Sequence, residues 1–228
     1  MTLLQLHEIV QQRLSNVGVF AYSDNRHTEV DRAIQEAIFK WVEVRVKPKP
    51  RTEPGVEDYL VVTDDLKWLK NTDESLSLTQ QTETTTATLP VAYYHIIKAT
   101  GTVQISCYEN GVLVQKSKDR PIIIVDNEHL DVLKEDTYYK SSKNKLLAQL
   151  NSANIVVQKD TTFNITAVKL TYYRQPATIN FATGSGTTLE FPDYVATDIG
   201  RLAALSLSIS GEQSQQKIVN MSQDGIRG

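Results

Sequence analysis

The stretch LEFPDYVATDIGRLAALSLSISG, Leu189–Gly211, decides the fold because it predicts a helix that is apolar on two sides. At the helical period, one broad face is formed by Val195, Ile199, Leu202, Leu205 and Ile209. A second face carries Ala196, Gly200, Ala203, Ala204 and Leu207. A helix that is apolar on two sides must be covered on two sides. We expect the first face to pack on the chain's own helices. The small-residue face is then predicted to be an oligomer interface.

The N-terminal part of the chain predicts two more helices. Apolar residues at Leu3, Leu6, Val10 and Leu14 are spaced three or four apart. The following segment HTEVDRAIQEAIFKWVEVRV has Thr28 as a candidate N-cap. Its apolar stripe consists of Val30, Ile34, Ala37, Ile38, Trp41 and Val42. The prolines of KPKPRTEPG then end helical structure and indicate a linker or a crossover between domains.

From Tyr59 to about Phe181 the pattern favours β-structure. The segment TVQISCYENGVLVQK predicts a hairpin, because Asn110-Gly111 suits the two positive-φ positions of a type I′ turn. Pairing outward from that turn places Cys107 opposite Val114 and Tyr108 opposite Leu113. The run PIIIV, residues 121–125, predicts a short buried strand.

Three further segments complete the β-rich region. NIVVQ and FNITAVKLTYY are predicted to form a second hairpin around Lys159-Asp160, although neither face of the second strand is cleanly polar. Between the hairpins, Leu130 and Leu133 suggest one or two helical turns. TQQTETTTAT, Thr79–Thr88, suits either an edge strand or a loop, and we expect a loop.

Together these elements predict an α+β fold. Residues 1–50 and 190–228 form a discontinuous helical platform, in which the terminal helices pack as a small bundle. Residues 51–189 form an inserted β-rich domain of antiparallel hairpins, resembling a sandwich.

Composition excludes several classes of protein. Of 228 residues, 40% are hydrophobic and 22% are charged, which is typical of a globular chain and not of a disordered one. The net charge of -3 provides no basic field of the kind that marks nucleic-acid binders. The single cysteine, Cys107, excludes an internal disulfide and suggests a reducing compartment. Because no signal-peptide pattern or membrane-span pattern is found, we expect a protein made in a cytoplasm, with no membrane partner.

No motif has the spacing that catalysis or metal binding requires. The four histidines, His7, His27, His95 and His129, lie outside any metal-ligand pattern. DNEHLD, Asp126–Asp131, is the most metal-like cluster, and we interpret it as a solvated turn. Cys107 alternates with apolar strand residues and is interpreted as a core residue. We therefore expect no enzyme activity, no cofactor and no metal.

One local cluster combines aromatic and basic residues. It lies in TYYKSSKNK and consists of Tyr138, Tyr139, Lys140, Lys143 and Lys145. Such residues suit base stacking in single-stranded nucleic acid, but this cluster is short. We interpret it as a solvated loop or a loop that contacts a protein partner.

Several phrases occur in an order typical of one family. After the N-terminal helix pair come LPVAYYHIIKATGTV (Leu89–Val103), DTYYKSSKNK, VKLTYYRQPATI (Val168–Ile179) with its YxR-x-P phrase, and LEFPDYVATDIGRLAALSLSISGE. In this layout the chain resembles head-to-tail connector or adaptor ring proteins of short-tailed bacteriophages. The likeness extends to virion proteins of crAss-like phages.

The resemblance implies a structural virion protein without cofactor or active site. It implies a homo-oligomeric ring, commonly a dodecamer, that docks beneath the portal protein at the portal vertex. The ring would join further neck and tail proteins and continue the channel through which DNA passes. Two alternatives remain from the residues alone. One is a ligand- or protein-binding module that uses the β-rich domain, and the other is a hydrolase or nuclease that uses Asp126–Asp131.

Overall fold

The computed structural model describes residues 1–16, 27–46, 66–136, 140–160, 162–184 and 186–224. Within them the fold is α+β, as predicted, with five α-helices and one curled mixed sheet of eight strands. The helices are α1 (Leu3–Asn16), α2 (His27–Val46), α3 (Asn127–Glu135), α4 (Phe181–Gly184) and α5 (Asp193–Asp224). The strands are β1 (Lys70–Ser75), β2 (Leu78–Gln80), β3 (Thr84–Thr88), β4 (Tyr93–Glu109), β5 (Val112–Val125), β6 (Leu146–Asn151), β7 (Asn154–Gln158) and β8 (Asn164–Arg174).

The chain divides into two compact units. A helical unit comprises Met1–Trp68 and Pro176–Gly228, and a β unit comprises Leu69–Gln175. These boundaries differ from the predicted ones at 50/51 and 189/190. Residues 176–189 belong to the helical unit because their backbone is bound there. The N–H of Ile179 donates to Gln35 Oε1 at 3.0 Å, and the N–H of Leu3 donates to the carbonyl of Thr187 at 3.1 Å.

The helical unit is formed by the apolar stripes that the sequence predicts. Every predicted stripe residue of α1 and α2 is buried. Trp41 packs edge-on against Phe191, just before α5, and the Arg45 guanidinium lies 3.6 Å above the Trp41 ring. The N-cap prediction is wrong, because α2 already includes His27 and Thr28 therefore lies inside the helix. The linker KPKPRTEPG lies outside the described residues.

The β unit is a sheet that curls round on itself. Its strand order is β1-β8-β4-β5-β6-β7-β3-β2. Among the strands that the structure describes, only β5 and β6 pair in parallel, and α3 lies between them in the chain. β1 and β2 occupy opposite ends of this order, yet only Leu76 and Ser77 separate them in the chain. Leu76 N–H donates to Val168 of β8, while Ser77 C=O accepts from Thr88 at the end of β3. The two edges of the sheet therefore lie close together and enclose the apolar core.

The core inside the sheet consists of alternate residues from nearly every strand, as expected for a sheet with one buried face. Its members are Leu76, Ala87, Leu89, Ala99, Val103, Ile122, Leu146, Ala148, Ile155, Val157, Phe163, Ile165, Val168, Leu170 and Tyr172. Tyr172 keeps its hydroxyl satisfied, donating to Glu74 Oε2 at 2.7 Å and accepting from Asn71 at 2.9 Å. Burial and the Glu74 contact raise the pKa of Tyr172 above its ordinary value.

The first predicted hairpin is confirmed in turn and register. Asn110 and Gly111 have φ of 51° and 81°, as a type I′ turn requires. Cys107 pairs with Val114, and Tyr108 pairs with Leu113. PIIIV, in contrast, is not a separate buried strand. It is the end of β5, and strand alternation buries Ile122 while leaving Ile123 exposed.

The second predicted hairpin is wrong. β7 pairs with β6 and β3, whereas β8 pairs with β1 and β4, so the turn at Lys159-Asp160 crosses between distant parts of the sheet. The mixed polarity of β8 has a local cause. Its register on β4 shifts where Thr102 pairs with Ala167 and Val103 pairs with Ile165. Thr166 is therefore an extra residue on β8. Before it the buried side chain is that of Ile165, and after it the inward positions shift by one residue, to Val168 and Leu170.

TQQTETTTAT forms strand and not the expected loop. β2 and β3 pair as a hairpin, and β3 pairs with β7 on its other side. Thr85 and Ala87 are fully buried, because they point toward the core of the curled sheet. The two buried positions are a threonine and an alanine, so no large apolar side chain marks the inward face in the sequence.

Candidate functional site

The small-residue face of α5 lies inside the protomer. Ala196 and Ala203 have no exposed surface, and Gly200 faces α1, where an added Cβ would lie 3.0 Å from Leu6 Cδ1. Ala204 and Leu207 are also buried. The prediction that these five residues form an oligomer interface is therefore wrong. Because Gly200 is small, α5 packs closely on α1 at this position, and both α1 and α2 contact α5.

The other face of α5 is only partly covered. Val195 and Ile199 are buried as predicted, but Leu205 is 57% exposed and Ile209 is 49% exposed. Leu202, one turn before, is half-buried. We refer to Leu202, Leu205 and Ile209 as the outer stripe. The sequence predicted two apolar faces correctly and assigned the inward role to the wrong one between Leu202 and Ile209.

The β unit carries a second uncovered apolar surface, at the end of the β4–β5 hairpin. β4 pairs with β8 only as far as Gln104, and β5 pairs with β6 only from Ile122 onward. Residues 105–116 therefore pair only with each other in the described sheet, and we refer to them as the arm. At its tip Tyr108 is 77% exposed, Val112 64% and Leu113 55%.

The arm has a cationic base. Lys116 and Lys118 of β5 are exposed, and Arg120 Nε donates to the carbonyl of Lys143 at 3.0 Å. That contact places part of the predicted basic-aromatic loop beside β5. Lys140 and Lys143 are exposed, and Lys145 is half-buried. Tyr138 and Tyr139, the other predicted members of this loop, lie outside the described residues.

The opposite end of β5 leads into α3, which contains most of the acidic DNEHLD cluster. Asp126, Glu128 and Asp131 are exposed, and Asp131 forms a 3.3 Å ion pair with Lys134. In the parts of the chain that the structure describes, no three His, Cys, Asp or Glu side chains are grouped closely enough to hold a metal ion. Leu130 is buried where the helix packs on β6, and Val132 is 70% exposed.

A buried polar cluster joins three parts of the helical unit. His7 Nε2 lies 2.9 Å from Asp31 Oδ1, and the N–H of Phe181 donates to Asp31 Oδ2 at 2.9 Å. The Phe181 ring stacks on His27 at 4.3 Å and lies 4.4 Å from the ring of His7. Burial lowers the pKa of His7, and this outweighs the contacts with Asp31, which raise it. The sequence did not predict this cluster, because Phe181 lies 150 residues after Asp31 in the chain.

Cys107 lies on the arm and is half-buried rather than in the core, with its Sγ 3.5 Å from the carbonyl of Val114.

Within the described ranges, no helix has both the length and the apolar character that crossing a membrane demands.

No protein-family model matches the chain, and the search of curated proteins found no significant match.

Proposed function

We propose that the chain is a structural subunit of an oligomeric connector ring in the neck of a short-tailed phage virion. The observation that carries the proposal is the outer stripe. α5 is apolar on two sides, and the protomer covers only the small-residue side completely. Two large aliphatic side chains at positions 205 and 209, four apart and about half exposed, suit contact with a neighbouring copy.

A second uncovered surface on the arm also supports assembly. A protomer with two different contact surfaces, in place of one self-complementary patch, suits the head-to-tail contacts that close into rings. In the proposed ring, the portal protein and further neck or tail proteins are the axial neighbours, and DNA passes through the central channel. These partners and the location in the virion follow from the resemblance of the sequence.

The test is the oligomeric state of the purified full-length chain. Sedimentation velocity over a wide range of concentration should show association, and negative-stain electron microscopy should show closed rings. Leu205→Gln with Ile209→Gln should shift the chain to monomers, because each substitution removes a partly exposed aliphatic contact. The variant should keep its fold, since neither residue is buried in the protomer.

The matched control is Arg201→Gln with Ser206→Gln, which changes two exposed polar residues of the same helix. It should assemble like the wild-type chain. A wild-type chain that stays monomeric at every concentration would contradict the proposed function.

A further inference from the structure

The tip of the arm exposes apolar side chains on both faces of the ribbon. In an antiparallel pair, opposite residues point to the same face, so Tyr108 and Leu113 share one face. Val112 lies on the other face, together with Val114 and its partner Cys107. Tyr108, Leu113 and Val112 are each more than half exposed. A partner docked on one face would leave the other face in water, whereas a strand at each edge would flank the apolar side chains of both faces.

Neither edge of the arm is paired with another strand of the described sheet. The turn at Asn110-Gly111 determines which backbone groups point outward, because the residues that flank a two-residue turn bond to each other. Antiparallel pairs then alternate, and in every second pair the N–H and C=O groups point away from the partner strand. In the arm these outward positions are Ser106 and Tyr108 on β4, and Leu113 and Gln115 on β5.

The position of Pro121 agrees with this assignment. Proline has no N–H to donate, and in sheets it is found where its nitrogen faces away from a neighbouring strand. Counted from the turn, Pro121 belongs to the outward set of β5, and it pairs with Thr100 of β4. The strand β5 therefore already accommodates a proline at an outward position without losing its register on β4.

The outer half of the arm lacks the features that commonly protect strand edges, which are prolines, bulges and charged side chains. Residues 105–108 and 112–115 contain no proline and no charge, and their register has no shift. The lysines of β5 begin only at Lys116, nearer the sheet. Residue types that are enriched in strands occupy four of these positions, Ile105, Tyr108, Val112 and Val114. The two edges are therefore suited to pairing with further strands.

A second and a third copy of the arm would cover both edges at once. Rotation about an axis parallel to the ribbon places β5 of one copy beside β4 of the next, and the two strands run antiparallel, as they do within one arm. The same rotation preserves the faces. With the tips level, Leu113 lies beside Tyr108 of the next copy on one face. Val114 then lies beside Cys107 of the next copy on the other face, so both apolar faces continue from copy to copy.

We propose that the arms of neighbouring copies join edge to edge, with the outward backbone groups of β5 in one copy bonded to those of β4 in the next. The contact is head-to-tail, because each copy offers one β4 edge and one β5 edge. The inference rests on the proposed function, since it identifies one interface of the proposed ring. It concerns different residues from those of the outer stripe.

Proline substitutions at the two open edges test this contact in the full-length chain. Gln115→Pro removes an outward N–H of β5, and Ser106→Pro removes one of β4. These two residues oppose each other in a pair whose N–H groups the arm itself does not use, so the hairpin should form in both variants. In sedimentation velocity, each variant should associate about tenfold or more weakly than wild type, because a carbonyl of the neighbouring copy loses its donor.

A mixture of the two variants gives a sharper result. Gln115→Pro keeps an open β4 edge, and Ser106→Pro keeps an open β5 edge. An equimolar mixture should therefore form one-to-one dimers at a concentration at which each variant alone is monomeric. The dimers should not grow at that concentration, because the two edges that remain both carry a proline.

The matched controls are Gln115→Ala and Ser106→Ala, which remove the same side chains and keep both backbone N–H groups. The alanine and proline variants at position 115 lose equally the 2.6 Å side-chain hydrogen bond that Gln104 donates to Gln115. The alanine variants should associate like wild type. Far-UV circular dichroism checks that each variant is folded.

Hydrogen exchange tests the contact without any substitution in the arm, and it decides the matter if a proline variant does not fold. The outward amides should exchange more slowly in the assembled wild-type chain than in the same chain diluted to monomers, because assembly bonds them to the next copy. These amides are those of Ser106, Tyr108, Leu113 and Gln115.

The outcomes separate this contact from the function on which it rests. A wild-type chain that never associates contradicts the ring itself. A wild-type chain that associates, while the folded proline variants match their alanine controls or the outward amides exchange as fast as in the monomer, overturns the arm contact alone. An effect of Gln115→Pro without an effect of Ser106→Pro would indicate that two β5 edges pair about a two-fold axis, and it would also overturn the proposal.

Discussion

His7 and Asp31 form a partly buried hydrogen bond between α1 and α2, with Nε2 2.9 Å from Oδ1. The second carboxylate oxygen of Asp31 accepts the backbone N–H of Phe181, at the start of α4. One side chain therefore connects two helices to the segment that leads into α5. Nδ1 of His7 is buried, and among the described residues it has no hydrogen-bond partner.

This arrangement predicts that stability falls in mild acid. The pKa of His7 is lower in the folded chain than in the unfolded one, because burial disfavours the charged ring. The unfolded chain therefore binds more protons below about pH 6.5, and folding becomes less favourable as the pH falls through that value toward the folded pKa. Urea unfolding, followed by helical circular dichroism, should show a lower midpoint at pH 5.5 than at pH 7.5.

His7→Gln removes the titrating ring and should reduce this pH dependence. The pKa of His95 is also lowered by burial, and this contributes equally to the wild-type chain and to the His7→Gln variant. The difference in pH dependence between the two chains therefore reports on His7. His129→Gln, at an exposed position outside the helical unit, is the matched control. An unchanged pH dependence in His7→Gln would show that the buried ring does not contribute.

Gly200→Leu should destabilise the protomer itself. An added Cβ already lies 3.0 Å from Leu6 Cδ1 and 3.1 Å from Ile9 Cγ2, so a leucine side chain must displace α1. Overpacking of this kind costs about 1–3 kcal/mol, which exceeds the gain in helix propensity of somewhat under about 1 kcal/mol. The free energy of unfolding, measured in urea, should fall accordingly.

Ser206→Leu is the control, because it adds the same side chain on the exposed side of α5. It should leave the stability of the protomer within about 0.5 kcal/mol of wild type. A Gly200→Leu chain that is as stable as wild type would show that α1 and α5 are not in close contact at this position.

The sequence predicts elements that depend on local patterns and misses those that depend on partners distant in the chain. The stripes of α1 and α2 are periodic, and Asn110-Gly111 fixes its own hairpin, so these predictions are confirmed. Both faces of α5 are apolar in the sequence. Which one the chain covers depends on how closely α1 and α2 approach α5, and the face covered completely is the one that carries Ala196, Ala203 and Gly200, the last of these against Leu6 and Ile9 of α1.

Strand pairing shows the same limit. The turn at Lys159-Asp160 suggests a hairpin, but closure of the sheet sends β7 and β8 to different neighbours. The burial of Thr85 arises from the same closure, and a threonine-rich segment carries no local sign of it. The arm was predicted as a hairpin. That it extends beyond the sheet depends on where β8 and β6 stop pairing, and nothing within the hairpin itself indicates this.

The side chain of Gln80 provides a test of how the sheet closes. Its Nε2 donates to the carbonyl of Ile165 in β8 at 2.6 Å, across the two edges of the sheet. Its Oε1 accepts from the hydroxyl of buried Thr85 at 2.9 Å and from Lys159 Nζ at 3.1 Å. One amide thus joins β2 to β8, to β3 and to the end of β7.

Gln80→Ala should therefore lower the free energy of unfolding of the β unit by about 1–2 kcal/mol, because the Thr85 hydroxyl and the Ile165 carbonyl each lose a partner. Gln80→Glu should recover only part of this loss, since a carboxylate accepts from Thr85 and Lys159 but cannot donate to Ile165. Thr79→Ala, at the exposed neighbouring position of β2, is the control and should change stability much less. Hydrogen exchange of the β2 and β3 amides measures the local effect. If residues 79–88 were a loop, Gln80→Ala and Thr79→Ala would have equally small effects, and exchange in this segment would be fast in every variant.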